Sequence, residues 1–205
     1  MTSRRPWRRR GGRRRSCRPP RDGYTVDDLC TLPGLPPHTE LIDGSLVFAG
    51  PQRYLHSTVI DLPATGLRRT VPGTMKIVRE MTVVLDRRNG PEPDIRVVRA
   101  EAVTGGEQTH CAVAVAVADV RPAAEVVSPD AGARDHDTRP HKYAAAGIPH
   151  FWLAEMSGSD HHPVVRTCEL DPLTQAYALT GTHRDRLKLD VPYDIGITTE
   201  ALDAL

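Results

Sequence analysis

The sequence predicts a mixed α/β (α+β) fold, richer in strand than in helix and built as one domain. Three observations carry that prediction. Short β-branched runs recur between glycine and proline punctuation. Only one segment, Asp137 to Ala146, is alanine-rich and ends on a glycine, Gly147. And hydrophobic residues make up 39% of the chain while aromatics make up 4%, which calls for a core of Val, Leu, Ile and Ala. A chain of 205 residues is long enough for one substantial core and short for two separate ones.

Thr25 reads as the N-cap of a short helix, with Asp28 three residues on to close a capping box. Pro33, Pro36 and Pro37 stop it. From Glu40 to Phe48 two apolar strands flank Asp43-Gly44, the dipeptide that tight hairpins prefer. Residues 53 to 69 read as helical up to Pro63, where the pattern breaks. Thr74 to Leu85 reads as extended and, after the Arg87 to Gly90 turn, forms a second hairpin with a strand that begins near Asp94. Cys111 to Val120 alternates alanine with valine; Arg121-Pro122 then splits it from a strand over Ala123 to Ser128, because proline cannot donate to a ladder. The helix over 137–146 tolerates Pro140 in its first turn. Strands follow at HFWLAEM, PVVRTCEL, AYALTG and RLKLDV, with no internal repeat.

The net charge of +1 conceals an asymmetry. Residues 1–22 hold 10 arginines and one acid, while residues 23–205 carry 17 basic against 25 acidic side chains, a net of −8. The arginine segment has no apolar period and repels itself, so it reads as a disordered tail ahead of a domain over 23–205. A nucleic-acid-binding arm and an inconsequential extension are the other readings of it. Arg68, Arg69, Arg87, Arg88 and Arg99 are further candidates for a basic face, against a scattered solvated set. No apolar run approaches a membrane span. Cys17, Cys30, Cys111 and Cys168 show no C-x-x-C spacing and follow no secretory signal, as expected of a cytoplasmic protein. The His161-His162 pair near Cys168 is better read as loop histidines than as zinc ligands.

In Gly90-Pro91-Glu92-Pro93-Asp94-Ile95 an aspartate stands where a proline-rich turn gives way to a strand, and Glu125 lies among alanine and valines. A glutamate in such a strand is costly to bury unless a positive charge compensates it. Two carboxylates on neighbouring strands offer the hard oxygen ligands that Mg²⁺ takes. By spacing alone the plainer alternative stands ahead: Asp94 caps a turn and Glu125 pairs with a surface arginine.

The ordered set ELIDG, PEPDI, EVVSP, Arg134-Asp135, Tyr143-Ala144 and AGIPHFW resembles the Uma-type restriction endonuclease family of the PD-(D/E)XK nuclease superfamily, over about residues 24–195. The resemblance implies a restriction-endonuclease-like domain, a mixed central β-sheet flanked by helices, and Mg²⁺- or Mn²⁺-dependent hydrolysis of DNA phosphodiesters, with a homodimer as the expected assembly. It assigns Asp94 and Glu125 to the metal and matches Glu40 to the glutamate of the family's early hairpin. His56 falls where the family tends to have a histidine. The family's lysine, four residues before the tyrosine, falls on Arg139, which cannot accept a proton but can clamp phosphate; Lys142 is the alternative cation. Arg139, Pro63 with Gly66, and Arg121-Pro122 are departures from the family pattern. They leave a second functional class open, a catalytically degenerate relative that binds nucleic acid or a protein.

Overall fold

A computed structural model describes residues 20–48, 50, 54–103, 115–127, 137–157, 162–190 and 192–198. Most of the arginine tail, with Cys17, lies outside these residues, as do Cys111, Ser128-Pro129, Arg134-Asp135 and His161.

The chain opens with α1 (Val26–Thr31), capped as expected by the reciprocal bonds of Thr25 and Asp28. β1 (Thr39–Ile42) and β2 (Ser45–Phe48) form the expected hairpin, with both turn residues in the left-handed region, Asp43 at φ +51° and Gly44 at φ +75°. The chain continues through α2 (Tyr54–Thr70), β3 (Met75–Arg79), the two-residue β4 (Val83–Val84), β5 (Ile95–Arg99) and the two-residue β6 (Val115–Ala116). It ends with β7 (Val120–Val127), α3 (Arg139–Ala145), β8 (His150–Ser157), β9 (His162–Asp171), β10 (Ala176–His183), β11 (Arg186–Leu189) and β12 (Ile195–Thr198).

Six strands make the central sheet, in the order β10-β9-β8-β7-β5-β3. Only the β7–β8 pairing in it is parallel, so the sheet is mixed. Its two faces are both covered. Ile60, Ala64 and Leu67 of α2 pack on Ile95, Val97, Ala124 and Trp152. Tyr143 of α3 and Ile148 pack on the other face against Val98, Ala123, Val127 and Phe151. Strands buried on both sides read as continuous apolar runs, which is why β5 and β7 lack a clean alternation.

Three expectations need correction. First, α2 does not end at Pro63 but runs through it. An interior proline costs about 3 kcal/mol. Burying Val59, Ile60 and Leu67 returns about 1.5–3 kcal/mol each, so packing wins. Second, β7 begins at Val120 and includes Pro122. Against β5, Ala123 faces Arg96 while Val120 faces Val98, so one extra residue bulges out of β7. A bulge at this point breaks the β5 ladder where proline would fail to donate. Third, the arms of the second hairpin are shorter and its connection longer than expected: β3 pairs with β5 only from Met75↔Arg99 to Arg79↔Ile95, and residues 80–94 form a separate excursion. β12, which pairs with β11 and places Ile195 under α2, carried no signal that its sequence made legible.

The excursion over 80–94 is tied to the hairpin. Leu41 and Gly90 exchange backbone hydrogen bonds of 3.1 and 2.8 Å, which sets Glu40 of β1 beside the Pro91 to Asp94 segment.

Candidate active site

Asp94 ends the proline-rich segment just before β5, and its Oδ2 accepts a hydrogen bond from the Val126 backbone N–H at 2.6 Å. That bond crosses from the mouth of β5 to β7 and sets the Asp94 carboxylate next to the residue following Glu125. Glu125 itself is 1% exposed. Its Oε1 accepts from the Tyr143 hydroxyl and its Oε2 from Arg139 Nη1, both at 2.6 Å. Arg139 Nη2 donates to Glu40 Oε2, also at 2.6 Å. The guanidinium fork therefore spans two carboxylates on separate strands, a geometry suited to its planar donors.

Arg139 and Tyr143 lie one helical turn apart on α3 and point at the same acid. The helix ends in a Schellman arrangement: Gly147 at φ +82° donates to the Ala144 carbonyl at 2.9 Å and Ile148 donates to the Tyr143 carbonyl at 3.0 Å. Buried Ile148 anchors that end, so the core fixes the tyrosine.

Burial pushes the Glu125 carboxyl well above its usual range against the opposing charge of Arg139, with Asp94 and Glu40 adding to the upward push. Burial also raises the Tyr143 phenol well above 10, keeping it a donor. His56, on α2, has Nε2 3.3 Å from Asp94 Oδ1. Burial of its ring favours the neutral form, but the Asp94 carboxylate and then Glu80 outweigh it, and the net shift is upward.

Glu40, Asp94, Glu125 and Arg139 are thus brought together. Lys142 is not among them. Its Nζ is 2.6 Å from Asp43 Oδ1, at the rim formed by the β1–β2 turn. Of the five candidate arginines, Arg99 pairs with Glu101 and Asp119, and Arg88 is bound to the hairpin turn.

Two charged residues of this cluster carry no prediction from sequence. Glu92, between the prolines, donates its backbone N–H to Glu40 Oε1 at 2.6 Å, while its carboxylate meets Thr82 and His38; burial pushes its pKa up to about 7. Arg96 is fully buried two residues after Asp94, and burial lowers its pKa to about 10. The available signal for Arg96 was its place within Ile95-Arg96-Val97-Val98, because a run that apolar belongs to a strand covered on both faces.

The profile of a family described as "Uma2: Putative restriction endonuclease" matches residues 26–199. The chain belongs to this family. Among solved structures, a "putative nuclease belonging to DUF820" from Anabaena variabilis ATCC 29413 aligns with a TM-score of 0.63 at 17% identity, covering 88% of this chain and 97% of that one. At that identity the likeness speaks for the fold, which is nuclease-like. No curated protein matches. Among the described residues no helix is long and apolar enough to cross a membrane.

A family of this kind implies a divalent metal, and the oxygen donors here are of the type one takes, with Tyr143 and Arg139 already bound to the two oxygens of Glu125. Four carboxyl side chains, Glu40, Glu92, Asp94 and Glu125, stand among two guanidiniums, Arg96 and Arg139, with His38 and His56 beside Glu92 and Asp94. Among the described residues no three His, Cys, Asp or Glu side chains gather into a metal cage. Mg²⁺ does not need one, since one or two carboxylates, water and substrate phosphate complete its octahedron.

Proposed function

We propose that this Uma2-family chain is a Mg²⁺- or Mn²⁺-dependent endonuclease that hydrolyses phosphodiester bonds in DNA. The observation that carries the reading is the meeting of Asp94 with the Glu125 strand through the Val126 N–H, beside a guanidinium. Asp94 and Glu125 would hold the cation. What such a cation supplies is Lewis-acid polarisation of the phosphate and a water nucleophile at neutral pH.

The chain's own residues supply the rest. Tyr143 holds Glu125 in one orientation. Arg139, always protonated, sets fixed positive charge beside the acids and stabilises the charge that builds on phosphate. Glu40 keeps that guanidinium aligned and, through the Glu92 N–H, pins the segment that delivers Asp94. His56 braces Asp94 from α2. Two copies of the chain acting together would bring two such sites to the two strands of a duplex.

Incubating the full chain with plasmid and Mg²⁺ or Mn²⁺ tests this reading: the wild type should nick or linearise the DNA, and Asp94→Ala and Glu125→Gln should not. Equal cleavage by wild type and Asp94→Ala would assign the activity to another site or to a contaminant.

A second reading, a non-catalytic nucleic-acid or protein binder, draws on the same guanidinium, because Arg139 already bridges Glu125 and Glu40. Calorimetric titration separates the two: a working site takes up Mn²⁺ near neutral pH, a degenerate one takes up none.

A further inference from the structure

Two cations stand on α3, and the burial of their partners separates them. Arg139 is held between Glu125 and Glu40, whose side chains are 1% and 4% exposed, so moving it would strand two buried carboxylates. Lys142 is bound instead to Asp43, whose carboxylate is 70% exposed. Water can rehydrate that carboxylate once the ammonium leaves, so this pair is cheap to open.

The two members of the rim pair also differ in freedom. Asp43 sits on a bolted turn: its N–H donates to Asn89 Oδ1 at 2.9 Å, and its carbonyl accepts from Arg88 Nη2 at 3.1 Å. Beside it Gly44 presses against the Arg88 guanidinium, where a Cβ would lie 2.7 Å from Nη2. Lys142 carries its charge on a flexible four-carbon stem. The Lys142 side chain is 18% exposed, so its stem is packed and only the ammonium end can swing, while the Asp43 carboxylate is fixed by its turn, three residues after Glu40 on the same hairpin.

We infer that Lys142 is the residue of α3 that takes a backbone phosphate of the nucleic acid, and that Asp43 is a positioning residue that holds the ammonium at the rim and yields it when a phosphate arrives. This rests on the nuclease reading above. One oxyanion replaces another on the same donor, so little is lost in the exchange. Because Asp43 cannot retreat with its turn, it stays near the incoming phosphate and lowers affinity by like-charge repulsion.

The test is anisotropy of a fluorescein-labelled DNA duplex titrated with the full chain in EDTA over a range of NaCl. Lys142→Gln should weaken binding about tenfold, the loss of one charge-assisted contact. It should also reduce the slope of log Kd against log salt by about 0.9, the value for one phosphate contact. Lys142→Arg should restore both, and Asp43→Asn, which tolerates the left-handed turn, should tighten binding a few-fold. Unchanged affinity and slope in Lys142→Gln would overturn the inference, and so would weaker binding by Asp43→Asn at unaltered thermal stability. Wild type that binds with this variant pattern yet never cuts with Mn²⁺ would sink the hydrolytic reading and leave the phosphate contact standing. Wild type that fails to bind in EDTA would sink the phosphate contact, and the plasmid assay with Mn²⁺ would decide the hydrolytic reading separately.

Discussion

At the scale of single residues, the cluster around Arg139 is a set of buried charges whose separate removal should be expensive. Arg139→Met leaves Glu125 and Glu40 without the guanidinium that spans them, and a broken buried pair costs about 3–5 kcal/mol. Urea unfolding should show that loss, and adding Glu40→Gln to Arg139→Met should recover part of it. Glu92 gives a pH signature. Its folded pKa of about 7 lies above the ordinary 4.5, so the native state keeps the proton longer than the unfolded chain does. Stability from this group is then whole below the unfolded pKa, falls as pH rises from 4.5 to 7, and is level above. The expected loss across that window is on the order of 1–3 kcal/mol. Glu125 and His56, both shifted upward, act in the same sense. Denaturant titrations in EDTA should therefore show a shallower fall for Glu92→Gln than for wild type, not a flat line.

Elements show where sequence signals were local and where they were not. The Thr25 cap, the Asp43-Gly44 turn and the Gly147 stop were legible because each is decided within a few residues. The same holds for the order of the acids and of α3, whose family motifs are local strings. Pro63 and Pro122 misled for the opposite reason: their local cost is real, and what outweighs it is a buried helix face in one case and a bulge against β5 in the other. Pro63→Ala should stabilise the protein by about 1–3 kcal/mol, since it restores a helical N–H and removes a clash. A higher urea midpoint at unchanged slope would show it. Gly147→Ala should cost about 1 kcal/mol through its left-handed backbone, while loosening the helix end that carries Tyr143.

For the molecule as a whole, the sheet converts separate motifs into one site. Glu40 reaches Arg139 across a sequence separation of 99 and Glu92 across 52, distances over which no periodicity or propensity carries information. That is why Glu92 and the Asp43–Lys142 pair were invisible beforehand, whereas Asp94, Glu125 and the choice between Arg139 and Lys142 could be named from motif strings. On the metal-dependent reading, a cation held by Asp94 and Glu125 should stabilise the fold. At 100 times its dissociation constant Mn²⁺ should add about 2.7 kcal/mol, or about 5–10 °C in Tm for a chain of this size. Thermal melts of wild type should move with Mn²⁺ and those of Asp94→Asn should not.

The order in which these groups leave the ribosome follows from α3 being the connection between the parallel strands β7 and β8. Glu40 is synthesised 99 residues ahead of its guanidinium partner, and Glu125 only 14 ahead. A nascent chain halted anywhere before Arg139 holds its acids without that counter-charge and its sheet without β8. Products that end before Arg139 are therefore expected not to fold, and the charge cluster closes late in translation.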